Sequence, residues 1–346
     1  MDDLTKTVME FVMDEGACAA GIATVETLRG GPPSADLMYV LPRARSAVSF
    51  AVALDQGLVR PFLAKGDRRA HEKDNIRANT LAGGAALNLA RWLEQKGYPS
   101  FPIASNNVYR SEALGGRLAM LPDISLRYLA VRSGVGHFGL SGNVITRDHG
   151  AGVILGGVVT SAELTPTDPL SVEENYCDGC RLCMASCCSG MMSPDELTTV
   201  SLGGVEFSYS KRLNYLRCEF VCGGFTGLHP SGKWSTWSPG RFHIPESDED
   251  FRQALVRGIK AHARWPDMGG GFHHILMQRK LHLTCGNCQL VCVPDKEERL
   301  GRHELLIGSG AVVQDSDGSI RAMAPEAARE RIAAMAPERR ALYEEI

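Results

Sequence analysis

Hydrophobic positions follow two rhythms in the first half of the chain. Leu4, Val8, Phe11 and Val12 share one helical face, which predicts an amphipathic helix from Leu4 to Met13. Ala47 to Leu54 reads AVSFAVAL, an apolar run with β-branched members, and predicts a buried strand. From Asn75 to Lys96, Leu81, Ala85, Leu89 and Trp92 recur at helical spacing, and Gly97 supplies the stop. Phe101 to Ile103 begins a short strand, and Ala151 to Thr160 predicts another buried one. Helix and strand alternating in this way predict an α/β or α+β domain over roughly the first 165 residues.

Beyond that point the rhythm fades. Glu163 to Leu170, ELTPTDPL, is a proline-marked linker. From about Cys222 to Gly271 the chain is rich in Gly, Ser and Trp, with little periodicity, as long functional loops are. AVVQDSDGSIRAM predicts a hairpin turning at Asp317-Gly318. A last helix is expected from Pro325 to about Glu344, interrupted at Pro337.

Composition narrows the function classes. The 346 residues, 44% of them hydrophobic, can build one large domain or two smaller ones. The net charge of −3 and the lack of a basic stripe predict no nucleic-acid partner. No apolar run approaches the ~18 residues of a membrane span, so no membrane partner is expected. The first residues, MDDLTKTVMEFVMDEG, resemble no export signal, which predicts a cytoplasmic chain with reduced thiols. Its eleven cysteines are then not a disulfide framework.

Ten of the eleven lie between Cys177 and Cys292; Cys18, alone near the start, reads as a small buried hydrophobe. The first motif is Cys177-x2-Cys180-x2-Cys183-x3-Cys187, and the second is Cys285-x2-Cys288-x3-Cys292. This is bacterial ferredoxin spacing, in which the fourth cysteine of a run serves the other cluster. One 4Fe–4S cluster is therefore expected on Cys177, Cys180, Cys183 and Cys292. The other takes Cys187, Cys285 and Cys288, and its fourth ligand is Cys218 or Cys222. Zinc is the competing reading, but zinc sites favour separated pairs of cysteines, and successive x2 spacing crowds a single tetrahedron.

With these motifs placed, the chain resembles the superfamily of epoxyqueuosine reductases and reductive dehalogenases. The likeness lies in Leu129 to Pro169, in YCDGCRLCMASC, in CGNCQLVC and in LPRARSAVSFAVAL. KRLNYLRC resembles the family segment that carries the lone ligand between the motifs, which favours Cys218. The resemblance implies an α+β protein. A three-layer α/β cobalamin-binding core would span residues 1–168. A ferredoxin-like domain with two 4Fe–4S clusters would span 169–300, and a C-terminal hairpin and helix 301–346. It implies cobalamin as a further cofactor, cofactor contacts at the turn of Gly134, Gly136 and Gly139, and an external low-potential electron donor.

Departures set the chain apart. The basic residue that usually follows the glycine turn is replaced by Leu140, and the position of the epoxyqueuosine reductases' proton-donating acid falls on Met120, with Asp123 out of register. His137, inside the turn, is a candidate proton donor in place of the missing base, and Tyr109 is a second catalytic candidate. The expected activity is reductive cleavage of a carbon–heteroatom bond in a small organic substrate; the alternative is an electron carrier without cobalamin.

Overall fold

The computed structural model describes residues 2–105, 109–114, 119–239, 244–245, 247–262, 264–267 and 285–344. Its first half contains α1 (Asp3–Asp14), β1 (Ala19–Thr24), β2 (Ser46–Ala53), α2 (Val59–Leu63), α3 (Arg69–Gln95), β3 (Ser100–Ile103), α4 (Leu126–Arg132), β4 (His137–Phe138), β5 (Val144–Ile145) and β6 (Val153–Thr160). The four longer strands form an antiparallel sheet in the order β1-β2-β6-β3.

β2 and β6 run through the middle of this sheet, and side-chain alternation explains why both read as continuous apolar runs. Val48, Phe50 and Val52 pack into one core cluster with Val8 of α1 and Leu89 of α3, while Ala47 and Ala51 join Leu129 and Val131 of α4 in another. The sheet is thus covered on both faces, giving three layers. Buried alanines at 78, 82, 85, 86 and 90 let α3 lie close to the strands. Gly156 belongs to this fit, because a Cβ there would come within 2.4 Å of the Phe50 ring. The expected helix at 75–96 is observed as 69–95, and β1, whose small residues gave no strand signal, was not expected.

The second half contains α5 (Leu182–Ala185), β7 (Met192–Leu202), β8 (Val205–Arg212), α6 (Leu216–Cys222), α7 (Asp248–His262), α8 (Asn287–Leu290), α9 (Lys296–Ile307), β9 (Ala311–Gln314), β10 (Ile320–Met323), α10 (Pro325–Ala333) and α11 (Pro337–Glu344). β9 and β10 form the expected hairpin, and Pro337 opens a separate last helix. Two elements depart from expectation. β7 and β8 pair as a long antiparallel hairpin after the first cysteine run, and α7 occupies part of the stretch read as irregular. Phe251 and Ala254 of α7 bury against Phe220 and Phe225, an apolar stripe diluted by exposed acids and basics. No described helix is long and apolar enough to cross a membrane.

Leu89 is fully buried at the sheet–helix interface and reports on how much that interface contributes to stability. Leu89→Ala is expected to cost ~2–5 kcal/mol in a urea unfolding curve, from lost burial plus the cavity left behind. A change below ~1 kcal/mol would mean that this interface carries little of the stability.

Candidate functional site

The first cysteine loop is shaped by two residues in left-handed backbone, Gly179 (φ +72°) and Arg181 (φ +59°). It gathers Cys177, Cys180 and Cys183 and brings Cys292 to them from more than a hundred residues away. Burial pushes the Cys183 thiol up to about 12, and the neighbouring Cys292, Cys177 and Cys180 sulfurs add to that. Burial likewise pushes Cys292 up to about 11. Donors converge on these sulfurs. The Leu140 amide donates to Cys177 Sγ at 3.3 Å, Tyr176 Oη lies 3.5 Å from Cys292 Sγ, and Arg299 Nη1 donates to Cys180 Sγ at 3.6 Å.

Five thiols make the second group. Cys288 is driven well above the ordinary thiol range by burial, then by Cys187, Cys285 and Cys218. Cys222 Sγ lies 3.4 Å from Cys218 Sγ, and its hydrogen bond is the main reason the Cys285 thiol falls to about 7. Asn143 Nδ2 donates to Cys288 Sγ at 3.7 Å. Cys188 is turned away, buried, with its sulfur on the Gly227 carbonyl at 3.4 Å. Cys18 is half-buried and donates to Ala51 O. Among the described residues no three cysteine, histidine or acidic groups converge tightly enough for one metal ion. A mononuclear zinc site needs its sulfurs ~2.3 Å from a single point. A four-iron cube places its ligands on separate corners and asks for a wider spread.

Beside the second group lies a cavity of about 720 Å³. One wall is apolar, made by Phe101, Pro102 and Ile103 with Val153, Ile154 and Leu155. The rest includes Tyr109, Met120, Asp123, Arg127, Asn143, Arg212, Tyr215, Gln289 and Cys222. Arg127 donates to Gly142 O at 2.8 Å and to Tyr215 Oη at 3.3 Å. Arg212 donates from Nη2 to Ser141 O at 2.9 Å and to Asn143 Oδ1 at 3.0 Å. Burial alone would raise the Tyr215 phenol, but the two guanidiniums outweigh it and pull the group below its ordinary value. Asp123 moves the other way: burial raises its carboxyl, only partly offset by Arg110. Two titratable groups on one cavity wall are thus displaced from their ordinary values.

The other expected site residues lie elsewhere, apart from Tyr109, which is on the cavity wall with its phenol raised by burial. His137 pairs with Ile145 in the β4–β5 ladder, is buried, and has its pKa lowered by that burial; it does not line the cavity. Gly134, Gly136 and Gly139 are also off the cavity wall. A Cβ would meet Asp168 O at 2.4 Å from Gly134 and Ile145 O at 2.6 Å from Gly136, so these glycines let chain segments touch. Trp234 and Trp237 are buried core, and His229 stacks on Trp234. His243, His273, His274 and His282 lie outside the described residues.

Sequence reading missed Arg127, Arg212, Asn143 and Tyr215. Arg212 and Tyr215 sit in KRLNYLRC, the segment singled out for Cys218, three residues apart. That spacing could have flagged them.

No family model matches the chain. It is 29% identical over 174 residues to an epoxyqueuosine reductase from Gloeobacter violaceus, covering 50% of this chain and 49% of that protein. It is 31% identical over 161 residues to one from Synechocystis sp., covering 45% and 48%. The chain thus spans about half the length of these curated relatives. Among solved structures it resembles the catabolic reductive dehalogenase NpRdhA (K488Q variant; TM-score 0.49, 14% identity, 92% of this chain and 39% of that one). It also resembles an epoxyqueuosine reductase bound to a modified tRNA-Tyr stem loop (TM-score 0.40, 16% identity, 88% and 80%). These relatives overturn the expectation of a small organic substrate and no nucleic acid. Net charge reports on non-specific attraction to a phosphate backbone and does not exclude recognition of a folded RNA by a local surface. Over about half its length the chain is a divergent relative of the epoxyqueuosine reductases.

Proposed function

We propose that this chain is an iron–sulfur reductase in which two 4Fe–4S clusters feed single electrons to a cobalamin in the cavity, where a carbon–heteroatom bond is cleaved. The observation that carries this reading is the contact between the cavity and the second thiol group. Cys222 and Gln289 line the cavity, and Arg212, also on its wall, faces Cys288 and Cys218. In this reading Cys177, Cys180, Cys183 and Cys292 hold one cluster, and Cys187, Cys218, Cys285 and Cys288 hold the other. Thiols gathered at this spacing suit such groups, because metal binding deprotonates a coordinating thiol outright.

The donor set also suits a corrinoid. An apolar wall can take the flat face of a ring, and Arg127, Asn143 and Arg212 can donate to the amides around its rim. When bound, the corrinoid supplies a low-potential cobalt for the reductive step. The chain's own residues bind, orient and move the proton. Tyr215 gives up its phenolic proton, and Arg127 and Arg212 stabilise the phenolate that remains. Entry of electrons is assigned to the first cluster. Cys180 is exposed there, so an external low-potential donor can approach it, whereas Cys288 is half-buried.

After anaerobic reconstitution the chain should hold roughly eight irons, two four-iron cubes, and added cobalamin should shift to its base-off spectrum. Eight irons with no spectral shift would leave an electron carrier. Cys177→Ser and Cys292→Ser should each erase the same reduced-state spin signal; loss of different signals would break the crossed assignment. Phenolate absorbance should show one tyrosine titrating below the ordinary ~10, absent in Tyr215→Phe and moved upward in Arg127→Met. An unmoved transition in Arg127→Met would remove the proposed control of that proton.

A further inference from the structure

The second thiol group holds one sulfur more than a cube can use. Four thiolates serve four irons, and the proposed reading assigns them to Cys187, Cys218, Cys285 and Cys288. Cys222 remains. It lies one helical turn beyond Cys218 on α6, with the two sulfurs 3.4 Å apart, and it faces the cavity. Its side chain is exposed at the cavity wall.

A thiol that close to a second thiol is placed for exchange, since disulfides form by attack of one sulfur on another. The helix resists full closure. Residues four apart keep their Cβ atoms ~5–6 Å apart, whereas a disulfide wants ~3.5–4.5 Å. The last turn must therefore loosen, and here it can. α6 ends at Cys222, and Gly223 and Gly224 follow, the second with φ +77°. A bridge formed under that strain is the easily reduced, reversible kind.

We propose that Cys218 and Cys222 form a reversible dithiol–disulfide pair, oxidised by a low-molecular-weight disulfide, that withdraws the fourth thiolate from the second cluster. The Cys222 thiolate attacks the small disulfide and releases one thiol. Cys218 then attacks the Cys222 sulfur of the mixed disulfide and releases the second. Two protein thiols lose two electrons and two protons, and the small disulfide leaves as two thiols. The consequence for the cluster rests on the ligand assignment above; the dithiol chemistry does not.

The test treats the iron-loaded full chain with oxidised glutathione under argon, alkylates free thiols, and digests with trypsin. Cleavage after Arg217 and Lys233 leaves both cysteines on one peptide. That peptide should be unalkylated and two hydrogens lighter, and dithiothreitol should restore it. Iron should fall from roughly eight to roughly four per chain. Cys222→Ser should keep its iron through the same treatment, and Cys218→Ser should start near four. Alkylation of both cysteines after treatment, a cross-link from Cys222 to Cys285 instead, or iron loss from Cys222→Ser equal to that of the parent would overturn the proposal. A parent chain that never reaches eight irons would sink the cluster reading, while the peptide masses still decide the dithiol.

Discussion

Two groups of thiols, most of them half-buried, are gathered where no apolar core would place them, and the rest of the molecule is arranged to tolerate this. Sulfurs with pKa values pushed to about 11 or 12 by burial stay protonated and inert unless something cationic claims them. The chain keeps amide, guanidinium and phenol donors on these sulfurs, so the thiolate form has partners. It also commits distant segments to the same point. The Ala151 amide donates to Cys292 O at 2.9 Å, and Gln289 donates to Val153 O at 2.9 Å. These bonds stitch β6, a central strand of the sheet, directly to the second cysteine motif.

That stitching fixes where the cavity can be. It opens between the β3 and β6 edge of the sheet and the second thiol group, and its polar side is dominated by two guanidiniums with a phenol between them. No carboxylate pairs with Arg127 or Arg212 in the described structure; their charge is met by carbonyls, by Tyr215 and, for Arg212, by the nearby sulfurs. Positive charge left facing a cavity favours an electron-rich occupant and holds a phenolate once its proton has left. In the proposed function, electron supply and proton supply meet on the same wall.

Much of this was legible in the sequence, and the failures have physical causes. The cysteine spacing grouped Cys292 with the first loop and Cys187 with the second, because ligand geometry constrains sequence directly. The long apolar runs at 46–53 and 153–160 announced buried strands. Arg127, Arg212 and Tyr215 were not found, since they reach one point from a helix, a strand and a loop, and only the short spacing of Arg212 and Tyr215 is visible locally. His137 attracted attention through its turn, yet backbone pairing with Ile145 buries it away from the cavity. α7 escaped because charged positions diluted its apolar stripe, and β7–β8 because one face of the hairpin is exposed and polar.

The central claim is that the cavity's occupant and the second cluster are close enough to exchange an electron. Electron paramagnetic resonance of the reconstituted, cobalamin-loaded chain tests this most directly. At a potential where the second cluster is reduced and the corrin holds cobalt(II), the account predicts a base-off cobalt signal split by the cluster's spin, with the splitting lost in Cys218→Ser. An unsplit signal from a fully loaded chain would place the corrin away from the cluster and contradict the account.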